Sequence, residues 1–421
     1  MSISRSNRHQ YDVIVIGAGA SGMMAAGRAA ERGLKVLLLE KNKKVGKKLS
    51  VTGGGRCNIL NFEEDTKKLL ANYGEAAKFL YSPFSQHGMS DSKKFFESKG
   101  LPIVVEARQR AFSASQKAED VTACLKRYAT ENNVELKCST RVDNFIVEKG
   151  EIVGVSTNRG DYEARSYILA TGGLAHKNTT SSGAGLDWVA KIGHTVHESS
   201  PNIVPLVVQE EWVKKLSGLT LSFMKITFGA DYTKEAGRFS KTGKILFTHF
   251  GLSGPLILNS ANEVRNLLKS GPILATIDLY PDTEVNVLRN RVLEVFDKNK
   301  NKELRNVLKN LVPAGMDKAV AEQFSPELQK MRVHSVSKEE RFALVDRIKA
   351  MPMTITGTMG MDWAVISDGG IPLEEVDTKT MQSKKFSNLY LTGDVLHINR
   401  PSGGFLLQLC WTTGFVAGSH V

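Results

Sequence analysis

Tyr11-Asp12-Val13-Ile14-Val15-Ile16-Gly17-Ala18-Gly19-Ala20-Ser21-Gly22 is the stretch that decides the fold. Its first six residues are a β-branched, apolar run ending in glycine, which predicts a buried parallel strand. The Gly-x-Gly-x-x-Gly lies directly between that strand and an alanine-rich segment from Ser21 to Arg32. The segment stops at Gly33, as a helix with a glycine terminus does. Lys35 to Glu40 then reads as a second buried strand, completing one βαβ unit with a right-handed crossover. In such a unit Gly17 permits the tight turn, Gly19 lets the backbone approach a pyrophosphate, and Gly22 lets helix and strand pack closely. Ala20 and Ser21 open the helix, whose N-terminus offers free N–H groups and about half a positive charge to phosphates. Glu40, ending the second strand, is placed to accept ribose hydroxyls. The prediction is a bound dinucleotide of unspecified type.

The rest of the chain says which one. Val134–Cys138, Val142–Glu148, Ile152–Thr157 and Asp161–Ala164 read as consecutive strands of a small meander. Val142, at the head of one of them, is counted with the cofactor residues. Tyr167 to Ala170 is a buried strand running into Thr171-Gly172-Gly173. Leu389-Tyr390-Leu391 is the last strand, closed by Thr392-Gly393-Asp394, and a final helix opens at Gly403-Gly404-Phe405-Leu406. Ala170 to Gly173 resembles the segment that FAD enzymes of the glutathione-reductase superfamily carry after their meander. The Gly393-Asp394 turn resembles that superfamily's distal motif, whose aspartate accepts from the ribityl chain of the flavin. The positive end of the final helix would then favour the anionic reduced ring. An NAD enzyme needs none of these distal elements, so FAD is the predicted dinucleotide.

Thr52-Gly53-Gly54-Gly55-Arg56-Cys57-Asn58 gives backbone N–H groups an open route to a planar ring or a phosphate. Gly53, Gly54, Gly55, Arg56 and Cys57 are therefore cofactor candidates. So are Lys41 and Lys48, the ends of a lysine-rich run read as a solvated loop near the FAD phosphates. Further motifs are "GKILFTHFGLSGP" (Gly243–Pro255), "TITGTMG" (Thr354–Gly360) and "LYLTGDVL" followed by "SGGF". Together they resemble, over essentially the whole chain, the bacterial FAD-dependent oxidoreductases that include aminoacetone oxidase and the BaiN-like proteins. The resemblance implies an α/β fold, a Rossmann-like FAD-binding domain of the glutathione-reductase superfamily over residues 1–198 and 362–421. A β-rich domain, residues 199–282 and 350–361, would interrupt it and carry a helical subdomain, residues 283–349. The chain departs from the family at Phe405-Leu406, where many relatives have a tyrosine and an asparagine. It also departs at Gly183-Ala184-Gly185, and at the basic His397 and Arg400. Cofactor binding through backbone amides carries over; substrate identity does not.

With 41% hydrophobic and 24% charged residues the chain reads as a soluble globular protein. Its apolar runs fall short of the ~20 residues that span a bilayer, and the polar Met1–Gln10 reads as a disordered leader, so the cytoplasm is expected. Cys57, Cys124, Cys138 and Cys410 include no CxxC pair, which argues against a zinc site or a redox dithiol. Cys57 is read as a small residue packed against the cofactor and His249 as a strand-end histidine. Trp411 and Phe405 either cover the flavin ring or fill the core, with core packing the default, and Phe405 and Leu406 are counted with the cofactor residues. No metal and no catalytic acid or base is assigned. The net charge of +12 is mostly interspersed with acids. No interleaved aromatics mark a base-stacking surface, which weighs against nucleic acid.

The expected function is hydride transfer between a small organic substrate and flavin N5. The absence of a second Gly-x-Gly-x-x-Gly makes NAD(P)H at most a transient donor. An oxygen-using amine oxidase, a tRNA-modifying flavoprotein and a non-catalytic FAD sensor are the alternatives.

Overall fold

The computed structural model describes residues 10–175, 182–229 and 237–421; most of the leader expected over Met1–Gln10 lies outside the described residues. The chain divides into two compact units. One runs to Pro201 and resumes at Ile366–Val421; the other is Asn202–Val365.

In the first unit Tyr11–Ile16 is the middle strand of a five-stranded parallel sheet. Val36–Leu39 and then Glu135–Lys137 lie on one side of it, Ala164–Leu169 and then Leu389–Leu391 on the other. Val13, Ile14, Val15, Leu37, Leu38, Ile168 and Leu169 are each at most 1% exposed. Burial on both faces is why these strands are continuously apolar rather than alternating.

One strand is a correction. Glu135–Lys137, expected within the meander, pairs in parallel with Leu37–Leu39 as an edge of the main sheet. A parallel pairing needs a crossover, and the helix Ala118–Glu131 supplies one, burying Val121, Leu125 and Tyr128. Tyr128 packs so closely that a Cβ on Gly27 would fall 2.3 Å from its ring. The antiparallel meander proper is Val142–Glu148, Glu151–Thr157 and Gly160–Tyr162. Ala164, expected to end it, instead begins the strand Ala164–Leu169.

The terminal helix Phe405–His420 lies along the first helix, Ala20–Glu31. A Cβ on Gly414 would meet the Ser21 carbonyl at 2.5 Å, and one on Gly418 would meet the Ala25 carbonyl at 2.4 Å. Two glycines four residues apart share one helix face, so here the two backbones touch. This seam joins the chain's last helix to its first.

The second unit is built on a closed antiparallel barrel. Its order is Leu206–Val208, Gly251–Ser253, Phe239–Thr248, Thr220–Gly229, Ile273–Asp278 and Met351–Thr358. Ile226, Phe228, Ile245, Phe247, Ile277 and Ile355 are fully buried at alternate positions, the period of a half-buried strand. The helical stretch expected over Thr283–Ala350 connects two neighbouring strands, since Ile277 pairs with Met351. Its helices Val285–Lys298 and Lys338–Lys349 bury Leu288, Val292 and Phe296, and Leu344, Val345 and Ile348. Lys349 bonds Asp278 at 2.7 Å, pinning the stretch to the barrel. Among the described residues no helix is long and apolar enough to cross a membrane.

Candidate cofactor site

The site lies at the carboxyl ends of the parallel strands of the first unit, where open α/β sheets bind ligands. Gly17 N–H donates to the Leu39 carbonyl at 2.8 Å, closing the turn. A Cβ on Gly22 would fall 1.8 Å from the Gly17 carbonyl, so this position admits glycine alone. A Cβ on Gly19 would meet none of the described atoms within 4 Å. The two glycines differ in purpose: one serves the protein's own packing, the other leaves room. Gly19 precedes the first helix, and no described side chain caps it, so the opening N–H groups are left to a ligand. Glu40 is 8% exposed and accepts from the Ala18 amide at 3.0 Å and the Asn42 amide at 2.8 Å. Its carboxylate is thereby held beside the turn, at the end of the strand. Lys41 is exposed next to it, while Val142 is buried and pairs with Thr157 in the meander.

The segment expected to reach the flavin from the other side meets this turn. A Cβ on Gly17 would lie 2.6 Å from the Ala170 carbonyl, and one on Gly173 would lie 3.2 Å from the Asp394 carbonyl. The Leu174 amide donates to Ser367 Oγ at 2.8 Å, holding the Thr171-Gly172-Gly173 loop. Gly393 N–H donates to Thr413 of the terminal helix at 3.0 Å, and Thr392 bonds Ser21 of the first helix at 3.3 Å. Gly404 precedes the terminal helix at φ +103°, and a Cβ there would lie 2.1 Å from Leu60. That helix too has no side-chain cap among the described residues. Phe405 packs edge-on to Tyr73, whose hydroxyl donates to the Phe405 carbonyl at 2.9 Å, with Leu406 half-buried beside it. Trp411 is fully buried and donates to the Ile59 carbonyl at 2.9 Å. Trp411 is core, and Phe405, counted also with the cofactor residues, is buried against Tyr73.

Asp394 carries the site's densest charge. Lys48 Nζ lies 3.6 Å from Oδ2, and the Arg400 guanidinium bonds Oδ1. Burial works against ionisation of Asp394, but Arg400 and Lys48 outweigh it and hold the carboxyl below its ordinary value. Cys410, in the helix behind, is pushed up to about 12 by burial and stays a neutral thiol.

The triple-glycine loop takes left-handed geometry throughout: φ is +62°, +67° and +85° at Gly53, Gly54 and Gly55. Gly54 and Gly55 face open space among the described residues. Arg56 turns to Gln116 at 2.8 Å and Glu106 at 2.5 Å, lying over the Phe112 ring. Cys57 is buried, and burial pushes its thiol up to about 12, which suits packing rather than redox chemistry.

Three buried polar atoms around these loops lack a hydrogen-bond partner among the described residues: Asn58 Oδ1, Thr171 Oγ1 and Arg400 Nε. Buried polar groups are normally bonded. Orphans on the loops that flank two uncapped helices and an open glycine turn fit a polar, phosphate-bearing cofactor such as FAD. Asn58 and Arg400 were not among the expected cofactor residues. Asn58 directly follows the quoted glycine loop, and Arg400 was legible only as a departure from the family pattern.

Residues 11–420 match the HI0933-like protein Rossmann domain. The chain belongs to the HI0933-like family. This is the BaiN-like group that its motifs resemble, and the protein is an FAD-dependent oxidoreductase. Among HI0933-like relatives, a Clostridium scindens 3-dehydro-bile acid delta(4,6)-reductase is 28% identical over 96% of this chain and 97% of its own. An Escherichia coli ribosomal RNA dihydrouridine synthase is 24% identical over 98% of both chains. In fold, the chain is similar to a 3-ketosteroid-delta4-(5alpha)-dehydrogenase of Rhodococcus jostii. The TM-score is 0.55 at 15% identity, covering 100% of this chain and 98% of that one.

Proposed function

We propose that this enzyme saturates a ring carbon–carbon double bond conjugated to a carbonyl, drawing its electrons from NAD(P)H through FAD. The observation that carries the reading is the kinship of two relatives matched over nearly the full chain. One is named a delta(4,6)-reductase of a 3-dehydro bile acid, the other a dihydrouridine synthase. A bile-acid ring enone and a uracil ring share little in size, yet each name describes adding two hydrogens across a double bond conjugated to a carbonyl. FAD supplies the hydride-transfer chemistry of its N5 when bound.

The chain's own residues do the rest. The open turn at Gly19 and the first helix would hold the pyrophosphate, and Glu40 with its neighbours would orient the ribose. The uncapped terminal helix and the Lys48–Asp394–Arg400 cluster would offer positive charge to the bound cofactor. The names of the two relatives favour a cyclic enone as the substrate class.

Anaerobic mixing of the yellow protein with NADPH or NADH tests the donor, and addition of a 3-keto-4-ene steroid tests the acceptor. The expectation is bleaching by the nicotinamide and recovery of colour with the enone. Failure of both nicotinamides to bleach the flavin removes NAD(P)H from the reading. Recovery with oxygen but with no enone would mark an oxidase, and recovery with a uridine-containing RNA alone would move the substrate to RNA.

A further inference from the structure

Arg400 is 3% exposed, yet it carries a full positive charge into the core of the site. One terminal nitrogen bonds Asp394, the other bonds the Ile398 carbonyl, and Nε is buried without an acceptor among the described residues. Asp394 also takes Lys48 at 3.6 Å, so one carboxylate faces two cations and the trio keeps a surplus of one positive charge. Burying a guanidinium with an unspent donor is unfavourable unless an acceptor completes it. The surroundings narrow down what that acceptor is. A Cβ on Gly173 would lie 3.7 Å from Asp394 Cβ, which puts the trio against the loop that holds the orphaned Thr171 hydroxyl. Gly403 and Gly404, opening the uncapped terminal helix, follow Arg400 almost directly in the chain.

We propose that Arg400 is a positioning residue for FAD: its Nε donates to the bound cofactor, and the trio's surplus charge favours the reduced flavin over the oxidised one. Asp394 has two tasks. It aims the guanidinium, and it offsets part of the charge of Arg400 and Lys48. This rests on FAD as the cofactor and not on the identity of the substrate.

The assignment makes two neighbouring substitutions act in opposite directions. Arg400→Gln removes a cation and disfavours the reduced state. Asp394→Asn leaves two cations uncompensated and favours it. A role confined to packing would loosen FAD in both variants without reversing the sign.

The measurement is an equilibrium reductive titration of the holoenzyme against a redox dye. For Arg400→Gln the reduced-to-oxidised ratio at a fixed potential is expected to fall at least tenfold, about 30 mV for a two-electron couple. For Asp394→Asn it is expected to rise by a similar factor. Lys48→Gln removes the outer cation from a half-exposed position, so it folds even if the buried variants do not; a fall of about threefold is expected there. Arg400→Lys keeps the charge and loses the fork, so it should hold the potential near that of the unmodified protein while binding FAD more weakly. Shifts of the same sign in Arg400→Gln and Asp394→Asn would overturn the assignment. So would an unmoved ratio in Lys48→Gln and Arg400→Gln with FAD still bound.

Discussion

The two sides of the candidate cofactor cradle solve one problem by different means. On the near side, Gly17, Gly19 and Gly22 present backbone, and the single acid, Glu40, is already held by Ala18 and Asn42. On the far side, Lys48, Asp394 and Arg400 present buried side-chain charge. Both sides end in a helix without a side-chain cap among the described residues, so both direct partial positive charge at a ligand. The difference lies in tunability. A backbone cradle holds the phosphates of any dinucleotide with little adjustment, whereas a cluster of charges can be altered one residue at a time to set redox preference. On the proposed reading, binding falls to the near side and tuning to the far side.

The largest expected effect breaks the near side. A valine at Gly22 puts its Cβ 1.8 Å from the Gly17 carbonyl, and no rotamer moves a Cβ. Gly22→Val should cost more than about 3 kcal/mol and yield little folded protein, with or without FAD. Gly19→Ala is its control, because the added methyl meets no described protein atom within 4 Å. Apo stability should change little in thermal unfolding, while FAD affinity falls at least tenfold. If Gly19→Ala destabilised the apoprotein as much as Gly22→Val, the division between packing glycine and ligand glycine would collapse.

The near side was legible because its chemistry is local. Gly17, Gly19, Gly22 and Glu40 carry their meaning in spacing along one βαβ unit, and each stands where that spacing implies. The far side was legible only in part. Asp394 could be picked out from its strand end, but the Lys48 that pairs with it comes from a loop more than three hundred residues earlier. Ser367, which holds the Thr171 loop, gives no sequence signal at all. Glu135–Lys137 was assigned to the wrong sheet because an edge strand exposes one side and so imitates a meander strand. Closure of the barrel depends on pairings such as Val207 with Gly357, which no local pattern encodes.

Acid should act on the far side. His87 is buried, stacks on Phe415 of the terminal helix at 4.2 Å, and accepts through its carbonyl from Thr412 at 2.7 Å. Burial lowers its pKa from 6.5 to about 4, with Asp91 opposing and Arg28 adding to the shift. Since the folded value lies below the unfolded one, this contribution is fully present above pH 6.5 and is lost as the pH falls toward 4. The expected loss is about 3 kcal/mol. It should register in hydrogen exchange of the terminal helix before that of the strand Tyr11–Ile16. His87→Phe keeps the stacking and should flatten the pH profile over that range. An unchanged profile would place the acid sensitivity elsewhere.

Helix contact gives a smaller effect. Gly418→Ala drives a methyl toward the Ala25 carbonyl, 2.4 Å away, so the terminal helix must shift outward. A loss of about 1–3 kcal/mol is expected. The methyl lies at the far end of that helix from Gly404, so FAD affinity should fall less than stability does. Equal losses would mean that the two helices act as one rigid part of the cradle.

The smallest expected effect sharpens the comparison most, because it decides to which side the triple-glycine loop belongs. Sequence reasoning counted Arg56 with the cofactor residues, and a cation there would make the loop a charge-bearing wall like the far side. The structure turns that guanidinium to Glu106 and Gln116, over the Phe112 ring, and leaves Gly54 and Gly55 facing open space among the described residues. In that arrangement Arg56 braces the loop from outside and the glycines offer backbone. Its side chain is 44% exposed, so the ion pair is worth at most about 1 kcal/mol and weakens with salt. Arg56→Ala should therefore lower stability by less than that and change FAD affinity by less than about threefold. A tenfold weaker affinity with stability intact would show that Arg56 leaves Glu106 to bind the cofactor, and the loop would then belong with the charged wall.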